Sequence, residues 1–543
     1  MPRTTQIIPE HLYPHSMVVI NDNTTVTPLP AATSGSTNML CVFASPKGHD
    51  RVMHTVEDGL AGFLEEYGQG PVSLYGQPYL NAYAAAASGA ATLQCLRVSA
   101  ADATYPALAI YANYLVTAKA MDIRFTAEPY TAALTDLVNL PAPAGTPTVT
   151  IDSKEYQHKP LFSVAYLGRG AWGNNLRIRV TSNTNGDKEN AFKNYTFEVY
   201  TNENGMQKKE EFIGCFNEDA VVAGVPHFIE GLVNDPTKGS NLLAMHVHTE
   251  NFAAIVDAYV KANPETTLTM DDFDVLLGIN KYTKAQITNY TINTTAPDVV
   301  VLNSLAGVAL TQGNDGKLTP GSADYATTLK TLYKEAYAGT TCVDIKSKNK
   351  YPVNLILDAG FEPDVKVSIA ALAESRGDCV AIADCGTTIT TKASVLTYVT
   401  TNLATNFNNR VLAIDAYAGK TRDPYNGKIV TVTSTFDLAT RYPQSFKQNN
   451  NMKHVPLAGN NYGLLTGFIA GTVFPVFDED VDSEEMDKLC EARVNFARNN
   501  VNQDVIRATQ TTSQPNQSSL SELNNVFVLL DIKRDCERLA STF

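Results

Sequence analysis

Long hydrophobic runs are missing from this sequence. The most apolar stretch, residues 463–477, is interrupted by Thr466, Thr472 and Pro475 and falls short of the ~20 residues that a membrane-spanning helix needs. The opening Met1-Pro2-Arg3-Thr4-Thr5-Gln6-Ile7-Ile8-Pro9 has no unbroken apolar core of the kind a signal peptide carries. No membrane partner is expected, and a soluble chain made in the cytoplasm is. Cysteine is sparse. Eight residues (Cys41, Cys95, Cys215, Cys342, Cys379, Cys385, Cys490, Cys536) with no C-x-x-C pair suggest neither a disulfide framework nor a zinc knuckle, so reduced, mostly packed thiols are expected. Positive charge is in deficit as well: 42 lysines and arginines face 56 acidic residues, for a formal charge of −14. Sequence-independent binding to phosphate backbones needs clustered cations that release counterions, so direct contact with nucleic acid is not expected.

What the sequence does contain reads as a multidomain α/β (α+β) protein. Its 543 residues exceed one hydrophobic core, since domains hold roughly 100–200 residues, and three or four lobes are expected. Residues 1–35 form an extended N-terminal arm in this reading, because Pro2, Pro9, Pro14, Pro28 and Pro30 punctuate them and only 16–21 is strand-like. Residues 36–105 run strand (39–43), helix (56–67), helix (79–91), strand (93–98), the first part of a core domain. Residues 106–300 are β-rich: 175–180 and 195–200 alternate with period 2, and Asn202-Glu203-Asn204-Gly205 supplies a turn before 207–212. They read as an outer, antiparallel insertion. Residues 301–543 resume the core with a strand (353–357), a helix (365–376) stopped by Gly377, a strand (380–383), a helix (392–407) and a strand (410–414). That is a βαβαβ segment with right-handed parallel crossovers expected. A helix over 483–498, with Glu484 and Glu485 in its first turn and Arg493 and Arg498 near its end, follows the helix dipole. A strand over 526–532 and a helix over 533–539 complete the pattern.

Three constellations invite a chemical reading. Gly168-Arg169-Gly170-Ala171-Trp172-Gly173 is a literal G-x-G-x-x-G, but a dinucleotide site needs a helix after it, and Asn174-Asn175 lead into the alternating strand Leu176-Arg177-Ile178-Arg179-Val180. A glycine turn between strands is the reading we adopt. His246, His248 and Glu250 share one face of a period-2 segment; residues i and i+4 on a strand lie roughly 13 Å apart, too far to converge on one ion, and a polar strand face is expected. Asp358, Asp384 and Asp415 each follow a strand of the βαβαβ segment, where open parallel sheets bind ligands and where a magnesium ion could be held for phosphoryl chemistry. No G-x-x-x-x-G-K-[ST], G-x-S-x-G or H-E-x-x-H accompanies them, and aspartate after a strand is an ordinary turn former or cap. Capping is the expected role, with a metal-dependent hydrolase as the rival.

Several blocks, in order along nearly the whole chain, resemble the tail sheath family of contractile phages and related contractile injection systems. Tyr13-Pro14-His15-Ser16-Met17-Val18-Val19 is similar to that family's opening strand, with His15 and Ser16 in place of its glycine region. Ala44-Ser45-Pro46-Lys47-Gly48, the helix ending Glu65-Glu66-Tyr67-Gly68, and the segment from Gly89 through Arg97-Val98 are similar to its first core block. Gly170-Ala171-Trp172-Gly173-Asn174-Asn175-Leu176 resembles a Gly-x-Trp-Gly-Asn-x-Leu turn. Leu310-Thr311-Gln312-Gly313-Asn314-Asp315-Gly316 resembles a Leu-x-Gly-Gly-x-Asp-Gly element with Gln312 at its first glycine. Pro456-Leu457-Ala458-Gly459 with Gly463, and Arg507-Ala508-Thr509-Gln510-Thr511, sit where a Pro-Ala-Gly block and a Gly-x-Arg-Thr block would be.

The resemblance implies a structural virion protein of the phage tail, assembled in the host cytoplasm. Its partners would be copies of itself in a helical stack, the tail tube protein, and baseplate and tail terminator proteins. It implies no enzymatic activity, no catalytic residues, no cofactor and no metal, with contraction driving the tube through the host envelope. Another repeating virion component, a capsid or baseplate protein, shares that assembly logic. The family's usual C-terminal linking arm is expected to be absent or truncated after Phe543. At the other end Met17, Val18, Val19 and Ile20 form an apolar run between proline-rich flanks with no adjacent partner strand, and are expected to add a strand to a neighbouring subunit's sheet.

Overall fold

The structure is a computed structural model that describes residues 37–117, 120–130, 147–182, 195–216, 221–222, 224–262, 290–292, 304–450, 453–500, 503–506, 509–513 and 521–540, with a few single positions between them. The expected arm and its Met17-Val18-Val19-Ile20 run lie outside the described residues. The chain forms two compact units, not three or four. One joins the described residues up to Val98 with those from Asp324 onward; the other is Ser99–Ala323.

The first unit is organised by a seven-stranded sheet: β1 (Thr37–Phe43), β2 (Met53–Val56), β3 (Ala91–Arg97), β4 (Leu355–Leu357), β5 (Val380–Asp384), β6 (Leu412–Asp415) and β7 (Val494–Asn495). The order is β2-β3-β1-β4-β5-β6-β7, parallel throughout except for edge strand β2. Strands buried on both faces need near-continuous apolar sequence, and Leu355-Ile356-Leu357 and Val380-Ala381-Ile382-Ala383 are wholly buried. The two stretches of chain meet at the sheet's centre, where Met39 pairs with Leu355 and Asn38 N–H donates to Asn354 Oδ1 at 2.8 Å.

Among the described residues, the helices of this unit that run nine residues or longer are α1 (Gly59–Tyr67), α2 (Val72–Ala87), α3 (Tyr325–Ala338), α4 (Pro363–Arg376), α5 (Lys392–Asn402), α6 (Ser434–Gln448), α7 (Ser483–Glu491) and α8 (Leu523–Ala540). Helix α4 starts on Pro363, whose fixed φ suits a first turn, and stops where Gly377 turns left-handed at φ 63°. The β4-α4-β5-α5-β6 path is the expected βαβαβ segment. Phe43 of β1 packs its ring against Phe63, Tyr67 and Tyr79, anchoring α1 and α2 to the sheet.

Three local expectations change. The helix over 483–498 ends at Glu491: Arg493 adopts φ 62°, and buried Val494 and Phe496 follow, with β7 completing the sheet beside β6. Arg498 then lies in a strand (Ala497–Asn500) paired with Gln503–Ile506. The run 526–532 is helical, as part of α8. A strand was expected there, but Val526, Phe527 and Leu530 are buried while Ile532 is 54% exposed, a one-sided helical face. Phe527 packs against Tyr442 and Phe446 of α6. The region before α1 also contains an antiparallel strand, β2, where only a helix start was expected.

The second unit holds two main sheets. In one, Lys154–Tyr166 and Ala120–Pro129 flank Ala107–Thr117, with Leu243–Val247 beyond the first and Tyr290–Ile292 beyond the second. In the other, Leu176–Ser182, Tyr195–Thr201 and Gln207–Gly214 form the expected meander, and Val308–Ala309 pairs on its far side. Ile110, Phe162 and Val164 from one and Ile178, Phe197 and Val199 from the other share a single apolar core. The seams fall at Ser99 and Asp324 and not at 105 and 301, because bridges Thr104–Asn314 and Ala107–Thr311 tie the segments beyond 99 and before 324 to this unit.

Candidate functional site

The parallel sheet brings the strand-end aspartates together. Asp384 and Asp415 are register partners at the carboxyl ends of β5 and β6, and Asp358 follows β4 directly. What the sequence reading missed is Lys366, one turn into α4. It lies on the helix's inward stripe with Ile369, Ala370 and Ala373, and it reaches Asp384 Oδ1 at 2.9 Å and hydrogen-bonds Asp358 Oδ2. A lysine at i−3 from the first residue of an apolar stripe was the available signal. Asp358, Lys366 and Asp384 are all 0% exposed.

Every carboxylate oxygen of the pair is occupied. Asp358 Oδ1 accepts from the Ala359 and Phe361 amides at 2.8 and 3.2 Å, and Oδ2 accepts from the Asp384 amide at 3.0 Å. Asp384 accepts from the Gly360 and Gly386 amides, each at 2.8 Å, and from the Thr433 hydroxyl at 2.6 Å. Thr433 in turn ties to Gln77 of α2. Burial opposes ionisation at Asp384, yet Lys366, the Thr433 hydroxyl and the Gly360 amide outweigh it and hold its pKa below the ordinary value. At Asp358, burial and then the neighbouring Asp384 charge win, pushing the carboxyl up to about 6. Burial acts to deprotonate Lys366, but the two carboxylates keep it charged, so it is no nucleophile. Asp415 stands apart: burial pushes it up to about 7, and it accepts from Asn495 Nδ2 at 2.8 Å.

This arrangement ties strand ends to α2, α4 and the start of α6. Between Asp358 and Asp384 stands the Lys366 ammonium, a cation the protein supplies itself. Asp358 and Asp384 thus do cap backbone amides at their turns and form a buried ion-pair knot with Lys366, whereas the Asp415 carboxylate accepts from the Asn495 side chain and caps no amide among the described residues.

The other constellations come apart. The strand through His246 ends at Val247, and a helix from Thr249 to Ala262 carries Glu250 away, because the chain turns immediately after the sheet edge. His246 Nδ1 lies 3.3 Å from a Glu230 carboxylate oxygen, while His248 Nε2 lies 3.0 Å from Ser163 Oγ. Burial pushes His248 down to about 4. The G-x-G-x-x-G segment is a turn: residues Ala171–Asn175 form a short 3₁₀ helix leading into the strand Leu176–Ser182. It interlocks with a second glycine block. Asn174 Nδ2 donates to Gly313 O at 3.0 Å, Gly313 N–H donates to Asn174 Oδ1 at 2.8 Å, and Ala171 N–H donates to Asp315 Oδ1 at 3.1 Å. A Cβ on Gly313 would stand 2.5 Å from Gly170 O, and one on Gly173 would stand 2.6 Å from Pro106 and Tyr166.

These observations define a two-unit α/β protein. In structure the chain is similar to the sheath tail protein of Desulfitobacterium hafniense, at 11% identity and TM-score 0.41, covering 96% of this chain and 83% of that one. It is also similar to the sheath tail protein of Listeria innocua, at 10% identity and TM-score 0.44, covering 92% and 75%. No family model and no curated protein matches the sequence.

Proposed function

We propose that this protein is the sheath subunit of a contractile phage tail or related injection machine, polymerising helically around a tail tube. The observation that carries this reading is the clasp between residues 170–176 and 310–316. These are two of the blocks on which the sequence resemblance rests, well over a hundred residues apart, and they form one close-packed, hydrogen-bonded junction. The conversion of strand-end aspartates into a buried, lysine-neutralised knot supports a structural role over a hydrolase. The Ser99–Ala323 unit is the outward-facing insertion in this proposal, and the unit that joins the described residues up to Val98 with those from Asp324 onward is the body that repacks on contraction.

The assembly needs a contact whose rotation does not close, which generates an open helix. It also needs a tether that survives rotation of the bodies, and residues Met17, Val18, Val19 and Ile20 supply it as a strand added to a neighbour's sheet. Contraction is a rigid-body repacking from a kinetically trapped state, with no cofactor and with the tube, baseplate and terminator proteins as partners. Negative-stain microscopy of the purified protein is expected to reveal tubes or polysheath; shells or discrete rings would refute the reading. Deleting residues 1–22 is expected to leave a folded, soluble monomer that forms no ordered tubes. Tube formation undiminished by that deletion would place the tether elsewhere.

A further inference from the structure

Among the described residues, His49, His54 and Glu66 are the one set of three histidine, cysteine or acidic side chains whose ligand atoms all lie within 4.8 Å of one another. They come from three elements of the first unit: His49 from the loop after β1, His54 from edge strand β2, and Glu66 from the last turn of α1. The His49 and His54 rings are stacked, with centroids 5.5 Å apart and an interplanar angle of 10°. His49 Nδ1 lies 2.6 Å from Glu66 Oε1, which also accepts the His49 amide at 3.1 Å. All three side chains are half-buried, so each reaches solvent while being held by its element.

We propose that His49, His54 and Glu66 form a binding site for a divalent transition cation of borderline softness, zinc above all, that clips the β1–β2 loop and edge strand β2 to helix α1. Two imidazoles and one carboxylate, with a fourth position open to water, are a donor set that zinc favours and magnesium does not. Donors on one tetrahedral zinc with bonds of about 2 Å stand roughly 3.3 Å apart, so His49 and Glu66 need to part by only about 0.7 Å. The ion takes the place of the shared proton: His49 Nδ1 gives its proton to solvent, and both heavy atoms then bind the metal. The helix supplies Glu66 already desolvated and aimed at the imidazoles, which lowers the cost of ordering the site on binding. Burial also pushes the His54 pKa down, which favours the neutral imidazole. This site is independent of the sheath reading, and its test does not involve assembly.

The experiment is calorimetric titration of the chelator-stripped full-length protein with zinc chloride at neutral pH, with magnesium chloride in parallel. We expect saturable uptake of one equivalent of zinc, a zinc-dependent rise in melting temperature that magnesium does not reproduce, and at least about tenfold weaker binding in His49→Ala and in Glu66→Gln. Cobalt in place of zinc is expected to give four-coordinate visible absorption without the near-ultraviolet thiolate band. Lack of a saturable equivalent would overturn the proposal. So would unchanged binding in both variants, or a thiolate band placing the ion on cysteine. If Glu66→Gln does not fold, His49→Ala decides alone, since its side chain sits in a loop: binding unchanged there refutes the site.

Discussion

Replacing Lys366 by methionine tests the knot at the centre of the parallel sheet. The substitution keeps the volume and the apolar stem but removes the cation that faces Asp358 and Asp384 among the described residues. At 2.9 Å and an effective dielectric near 20, the Lys366–Asp384 attraction alone is about 6 kcal/mol, set against the desolvation of each charge. Breaking a buried pair from one side costs about 3–5 kcal/mol, because the partner is left charged and dry, and two carboxylates are stranded here. We therefore expect a loss of about 3–5 kcal/mol at pH 8 by urea denaturation followed in far-ultraviolet circular dichroism. The pH dependence carries a definite sign. Without Lys366 the two buried carboxylates repel each other across a dry site, so the pair is expected to take up a proton on folding, with a folded pKa raised above the unfolded value near 4. Such groups contribute stability at low pH that is lost as pH rises through the folded pKa, and the deficit should shrink between pH 8 and pH 5. A loss below about 1 kcal/mol, or a deficit that widens as pH falls, would refute the ion-pair account.

Asp415→Asn should stabilise the protein in alkaline buffer: the folded carboxyl titrates near about 7 against an unfolded value near 3.8, a gap of about three pH units, or at most about 4 kcal/mol. The raised pKa makes wild-type stability fall between pH 4 and pH 7, whereas the amide still accepts from Asn495; parallel pH profiles for the two proteins would contradict this. Phe527→Ala should cost about 3–5 kcal/mol in the same urea assay, because the ring is buried against Tyr442 and Phe446, and a cost under about 1 kcal/mol would mean that α8 does not anchor on α6.

The sequence by itself determined those elements whose signals are local. Leu355-Ile356-Leu357 and Val380-Ala381-Ile382-Ala383 read as buried strands, and Gly377 as a helix stop, because apolar period and a left-handed cap are short-range properties. The turn at Gly170–Gly173 was legible for the same reason, as was the placement of Asp358, Asp384 and Asp415 at strand ends. Tertiary structure decided the rest. A mostly apolar run such as 526–532, interrupted by Asp531, fits either helix or strand, and packing of Phe527 on α6 selected the helix. Beyond Glu491 the burial of Val494 and Phe496 against the sheet overrode helical continuation. Glu250 left the face of His246 because the sheet ended at Val247. Whether an aspartate caps a turn, holds a metal or pairs with a lysine depends on which side chain a separate element delivers to it, and the delivery of Lys366 by α4 is fixed by helix-on-sheet packing. The joining of β1 to β4, more than three hundred residues apart, likewise has no local signature, since strand order is set by which faces can be buried together.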